Sequence, residues 1–216
     1  MNFIIDRKKL DGLELVYKLG SLSENDSAVG WKKGVRVLGV SESFEKSASR
    51  SILAGVIMRG DIRIDGFGVC FPTIGGTDST TELLSLYSDL KREDIRAWML
   101  GGSVISWFNI IDIITLYEKT NTPVICVSYH PSEGIEKYLL EYFPEDFEER
   151  IELLKSSGER VEVQLSTGHS IFLITAGISV ARARKLVDRF TLDGRIPEPI
   201  RVARTIAAGL HRNLPM

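Results

Sequence analysis

The chain has 216 residues, 44% of them hydrophobic and 26% charged, which excludes a disordered or fibrous protein and suffices for one buried core. A formal net charge of -2 excludes binding of a polyanion by bulk charge alone. The charge is uneven: residues 133–162 carry ten acids against four bases, residues 177–216 eight bases against three acids, and residues 31–64 seven bases against three acids. A basic face is one expectation from this pattern, and ordinary solvated helix faces are the other.

Residues 1–34 read as an extension or loose hairpin ahead of a main domain, 35–216, because residues 20–27 are polar and loop-like. No apolar run at the start reaches signal-peptide length, and no later run reaches membrane-spanning length, so a cytoplasmic protein without membrane contact is expected. Cys70 and Cys126 each sit among apolar, strand-like residues and read as small buried thiols, which suits a reducing compartment.

Three β-rich runs, 35–40, 51–58 and 62–71, follow one another with short links, so antiparallel pairing is expected, with Asp61 in a turn. Leu83, Leu84, Leu86, Tyr87 and Leu90 have helical spacing, which predicts a helix over 78–90. Residues 95–100 read as a strand ending at Gly101-Gly102. Residues 103–120 read as one helix, apolar almost all round, with Ser106, Asn109 and Asp112 on a narrow stripe. Residues 123–128 read as a buried strand, and the helical crossovers imply parallel pairing. An acidic helical region (about 132–157), a hairpin (161–165 with 171–175), a helix from Ser179 and a last helix after Pro197-Glu-Pro199 complete the chain. Three antiparallel strands followed by two parallel ones is the order of a ribonuclease H-like core: an α/β fold with a mixed five-stranded sheet flanked by helices.

A nuclease on such a core needs carboxylates converging on one or two Mg²⁺ ions. Glu42 ends the first strand and is either a metal ligand or an exposed loop carboxylate. Gly75 and Gly76 open a loop that enters a helix, where an anion is favoured. Asp78 and Glu82, four apart, face one site if Asp78 is already helical. Ser79-Thr-Thr-Glu82 also matches a capping box. The loop lacks the Gly-Lys-Ser/Thr ending of a nucleotide P-loop. The fourth strand ends in Met99-Leu-Gly-Gly102 without a carboxylate, and Asp112 with Asn109 are the nearest polar substitutes. His130, His169 and His211 are not paired at metal-ligand spacing, and neither G-x-S-x-G nor C-x-x-C occurs.

Val37-Leu-Gly-Val-Ser-Glu42, the glycine-rich loop through Glu82, Leu100-Gly-Gly-Ser-Val104 and Thr122-Pro-Val-Ile-Cys-Val127 resemble the successive core blocks of endonuclease V. The tail is the most specific match: Gly177-Ile-Ser-Val-Ala-Arg-Ala-Arg-Lys-Leu-Val187, then Arg195-Ile-Pro-Glu-Pro-Ile-Arg-Val-Ala-Arg204. Residues 35–211 resemble more closely still an archaeal family related to endonuclease V, through the R-x-D-G and G-G-x-D-x-T segments and Phe108-Asn-Ile-Ile-Asp-Ile113. In this alignment Glu82 matches the helix-start glutamate of endonuclease V, whereas Ser41 and Gly101 stand at its two strand-end aspartates and Tyr129 at its lysine.

Endonuclease V recognises deaminated purine in nucleic acid and cuts nearby. The resemblance therefore implies a Mg²⁺- or Mn²⁺-dependent endonuclease with an incomplete acidic site. Glu42, Glu82, Asp78 and Asp112 are its catalytic candidates, with Glu42 and Glu82 as metal ligands. DNA or RNA is the expected partner, contacted by Gly75, Gly76 and the basic residues of the C-terminal helices, Arg182, Arg184, Arg189, Arg201 and Arg204. Two alternatives stay open: a catalytically inactive nucleic-acid-binding module, and a small-molecule or anion-binding protein that reuses the fold.

Overall fold

The computed structural model describes residues 30–131 and 134–214. Most of the extension expected over 1–34 therefore lies outside the described residues. Among the described residues nine strands form: β1 (Arg36–Ser43), β2 (Ile52–Arg59), β3 (Ile64–Cys70), β4 (Ile95–Leu100), β5 (Val104–Ile105), β6 (Asn109–Ile110), β7 (Val124–Ser128), β8 (Val161–Gln164) and β9 (Ser170–Ala176). The helices are α1 (Ser79–Asp89), α2 (Ile113–Thr120), α3 (Glu136–Tyr142), α4 (Phe147–Ser156), α5 (Val180–Arg189) and α6 (Glu198–Asn213). No helix among the described residues is long and apolar enough to cross a membrane.

The main sheet has the order β3-β2-β1-β4-β7-β9-β8. Strands β1 to β3 pair antiparallel, and β4 and β7 join parallel to β1, which is the expected five-strand core. The β8–β9 hairpin extends it to seven, because β9 pairs antiparallel with β7. Side chains alternate across the sheet. Leu38 and Val40 of β1 join the core under α1 and α2, while Val37 joins the core under α5 and α6. A Cβ at Gly39 would stand 2.3 Å from Pro199 Cβ and 2.5 Å from its carbonyl carbon, so the absent side chain lets the start of α6 rest on β1.

Residues 103–120 are not one helix. Asp112 accepts from Ile114 N (3.1 Å) and Thr115 N (2.9 Å) and so starts α2 at Ile113. Upstream, β5 and β6 form a hairpin whose tip, Ser106, Trp107 and Phe108, has φ of 45°, 55° and 68°, a left-handed run that non-glycine residues rarely adopt. The apolar residues that suggested an all-round helix are divided among separate clusters: Ile105 and Ile111 pack under α1 and α2, and Ile110 packs with Leu139 and Ile151. The capping box also does not form. Ser79 Oγ donates to Ile110 O (2.9 Å), and the Ser79 N–H is satisfied by Asn109 Oδ1 (3.1 Å) from the hairpin.

Candidate functional site

Because β1, β4 and β7 run the same way, their carboxyl ends share one edge of the sheet. Ser41, Glu42 and Ser43 end β1, Gly101 follows β4 and Tyr129 follows β7. Helix α6 crosses above them. Between helix and edge lies a cleft of about 430 Å³, lined by Ser41, Ser43, Gly101, Tyr129 and Arg204 and bordered by Glu42. A Cβ at Gly101 would stand 3.7 Å from Ser41 Oγ and 3.3 Å from Ile200, so any side chain at 101 would enter this cleft.

Tyr129, Arg204 and the Ser43–His211 pair stand out in or beside the cleft. The Tyr129 hydroxyl is buried with no hydrogen-bond partner among the described residues. Burial pushes its pKa up to about 12, against the pull of the Arg204 and Arg195 charges. Arg195 holds the tyrosine in place, donating to its carbonyl (2.9 Å) and lying over its ring. Arg204 is exposed and makes no ion pair among the described residues. At the far end Ser43 Oγ lies 2.9 Å from His211 Nδ1.

The four carboxylate candidates are engaged elsewhere. Alternation along β1 turns Glu42 toward the β5–β6 hairpin, where its carboxylate accepts from Ser106 N (2.5 Å) and Ser106 Oγ (2.9 Å). Burial raises its pKa, and these two bonds oppose the rise. Glu82 accepts from Phe71 N (3.2 Å), with Arg50 at 3.9 Å. Asp78 accepts from Thr73 N, from Thr73 Oγ1 (2.7 Å) and from Asn109 Nδ2 (2.8 Å). Burial works to raise its pKa, but those bonds outweigh it and leave it lowered. Asp112 caps α2. The Cys70 thiol feels both Glu82 and Asp78: its pKa is pushed up to about 12 by burial first and by these two charges second. Glu42 is not with them. It pairs across to Leu53, and Leu53 to Cys70, two strand spacings or about 10 Å. Among the described residues no three His, Cys, Asp or Glu side chains gather where a cation would need them, so the donors do not fit a ready-made Mg²⁺ or Mn²⁺ cluster.

Of the five arginine candidates, Arg204 alone lines the cleft. Arg182 lies over the Trp31 ring at 4.7 Å, Arg184 donates to Gln164 O (2.6 Å), and Arg189 donates to Trp31 O and Lys33 O. Arg201 pairs with Glu198 on its own helix. Gly75 and Gly76 do not offer an open cradle. The Gly75 N–H donates to Ser106 O, and both glycine carbonyls accept from Arg150, which also reaches Phe108 O (2.7 Å) and Asp146. Sequence reasoning missed Arg150 and the Ser43–His211 pair. The one signal for the latter was spacing: Arg204, Ala208 and His211 recur at i, i+4 and i+7 on one face of α6.

Residues 33–211 match the endonuclease dU family. A UPF0215 protein of Pyrobaculum calidifontis is 32% identical over 177 residues, covering 82% of this chain and 97% of that protein. A protein of unknown function from Archaeoglobus fulgidus is 28% identical with a TM-score of 0.70, over 81% of this chain and 97% of that one. The endonuclease V of Ciona intestinalis, solved with a 23mer DNA containing an inosine, shares the fold at 16% identity and a TM-score of 0.58, over 98% and 100% of the two chains. The chain belongs to the endonuclease dU family, an archaeal family related to endonuclease V.

Proposed function

We propose that this protein binds a nucleic-acid strand across the carboxyl edge of β1, β4 and β7 and acts on it as an endonuclease of its family. The reading is carried by one observation: a buried Tyr129 hydroxyl shares a cleft with Arg204, and among the described residues the hydroxyl has no hydrogen-bond partner and the guanidinium no carboxylate. A buried hydroxyl left unsatisfied costs about 1–3 kcal/mol. A phosphodiester oxygen would accept from it while its charge is met by the guanidinium. Gly101 separates this cleft from a second cavity of about 440 Å³, walled by Ser103, Cys126, Leu154, Arg160 and Ile174. That space is large enough to take one unstacked base while its phosphate sits at Arg204. The deoxyuridine in the family's name, and the inosine-containing DNA held by the Ciona enzyme, set the choice of probes.

The test is fluorescence anisotropy with labelled DNA and RNA oligonucleotides, each carrying a single deoxyuridine or inosine, beside denaturing-gel assays of the same probes with Mg²⁺, Mn²⁺ or EDTA. Because Glu42, Asp78, Glu82 and Asp112 are bonded elsewhere, binding is expected to be the same in EDTA as with either cation. Arg204→Ala should weaken binding roughly tenfold or more, and Tyr129→Phe by a smaller factor. Full binding by both variants would overturn the assignment of the cleft.

A further inference from the structure

We propose that Ser43 and His211 are a nucleophile–base pair that cleaves the bound phosphodiester. This rests on the cleft being the strand site. Three features of the structure carry it. Ser43 Oγ and His211 Nδ1 are 2.9 Å apart, the reach that proton transfer from a hydroxyl requires. Ser43 is a wall of the cleft that also holds Arg204, so a phosphate paired with the guanidinium lies within the same space as the hydroxyl. And two rigid elements fix the pair. Ser43 is held in the β1–β2 ladder opposite Ile52, while α6 is seated on β1 through Gly39 and Pro199. The acids that a cation-dependent site would use are turned to the other face of the sheet or engaged in capping and loop contacts.

With the imidazole proton on Nε2, Nδ1 accepts the Ser43 Oγ–H. The oxygen attacks phosphorus and its proton passes to His211. The P–O bond to one sugar breaks, and the departing sugar oxygen takes that proton from the imidazolium. Water then attacks the phosphoserine diester, giving one proton to His211. The Ser43 oxygen leaves phosphorus and recovers the proton. The net change is addition of one water across the phosphodiester, with no oxidant and no further reactant. Arg204 would neutralise the extra charge on the pentacoordinate phosphorus.

A fluorophosphonate reagent tests the pair without relying on the identity of the natural substrate. A polarised serine displaces fluoride from its phosphorus, and the adduct is mapped by peptide mass spectrometry. The expected result is a single adduct at Ser43, slowed by excess oligonucleotide. His211→Gln keeps a side-chain amide able to bond Ser43 but no base, so it should retain the wild-type Tm yet label at least ~100-fold more slowly. A histidine that only pins α6 to β1 would leave labelling of that variant unchanged, and this result would overturn the proposal. So would an adduct at Ser41 or no adduct at all. Because labelling needs no nucleic acid, its failure beside intact oligonucleotide binding removes the dyad and leaves the strand cleft standing. Failure of binding beside normal labelling does the reverse.

Discussion

Glu42 carries its charge in a poor place for one. Burial raises its pKa above the ordinary 4.5, and the Ser106 amide and hydroxyl recover part of the difference. The folded chain therefore holds that proton more tightly than the unfolded chain does. The corresponding stability is complete below the ordinary pKa and is lost as pH rises through the raised value. Glu42→Gln, which can still accept from Ser106, should be more stable than the wild type at pH 8, and the gap should close near pH 4. Urea unfolding at both pH values measures this, and a Gln variant less stable at pH 8 would contradict it. Arg150 is the opposite case, a buried charge with every direction answered. It bonds Gly75 O, Gly76 O, Phe108 O and Asp146 and lies over the Phe143 ring at 4.1 Å. Arg150→Ala should cost about 3–5 kcal/mol, since it strands three carbonyls and a carboxylate, and Lys should not rescue it because one ammonium cannot span them. Nothing in the residue types around position 150 marked it. It lies in an acidic stretch that reads as a solvated helix, and its acceptors come from loops some 40 and 75 positions away.

At the scale of elements, hydrophobic patterning located the five core strands as short apolar runs, because β2, β4 and β7 are buried on both faces, and located α1 by its helical spacing. It failed over 103–120, where the apolar residues serve more than one cluster and a hairpin tip runs through left-handed backbone. No period describes a segment that changes neighbours every few residues. The same limit hid how closely β1 and α6 approach. Gly39 reads as an ordinary strand glycine, yet Pro199 occupies the space of its missing side chain. Gly39→Ala should destabilise the fold by about 3 kcal/mol or more, at the top of the range for overpacking. It should also weaken oligonucleotide binding, since α6 carries Arg204 over the cleft. Gly66→Ala is the control: its added methyl would meet only Ile57 Cδ1 at 3.8 Å, and a change within about 1 kcal/mol is expected. Equal losses in the two variants would mean that strand flexibility, and not the β1–α6 contact, is what each alanine disturbs.

For the whole molecule, the pairing of β1, β2, β3, β4 and β7 was legible because connection lengths and chirality leave few alternatives. The placement of β9 beside β7 was not, since alternation identifies a strand without naming its partner. Charge was legible only as a tally. The C-terminal stretch is rich in arginine, but Arg182, Arg184, Arg189 and Arg201 are committed to Trp31, Gln164, Lys33 and Glu198, and the strand edge is left with Arg204. A protein with formal charge -2 and so few uncommitted cations at its cleft should neutralise only two or three phosphates. The plot of log Kobs against log salt for duplex DNA should then have a slope of roughly -2 to -3. Titrations of one inosine-containing duplex between low and physiological salt give this slope directly, and Arg204→Ala should make it shallower by about one. A wild-type slope of about -5 or steeper would require many more ion contacts than the cleft supplies. It would move the binding surface onto the basic flanks, where the committed arginines would have to exchange their present partners for phosphate.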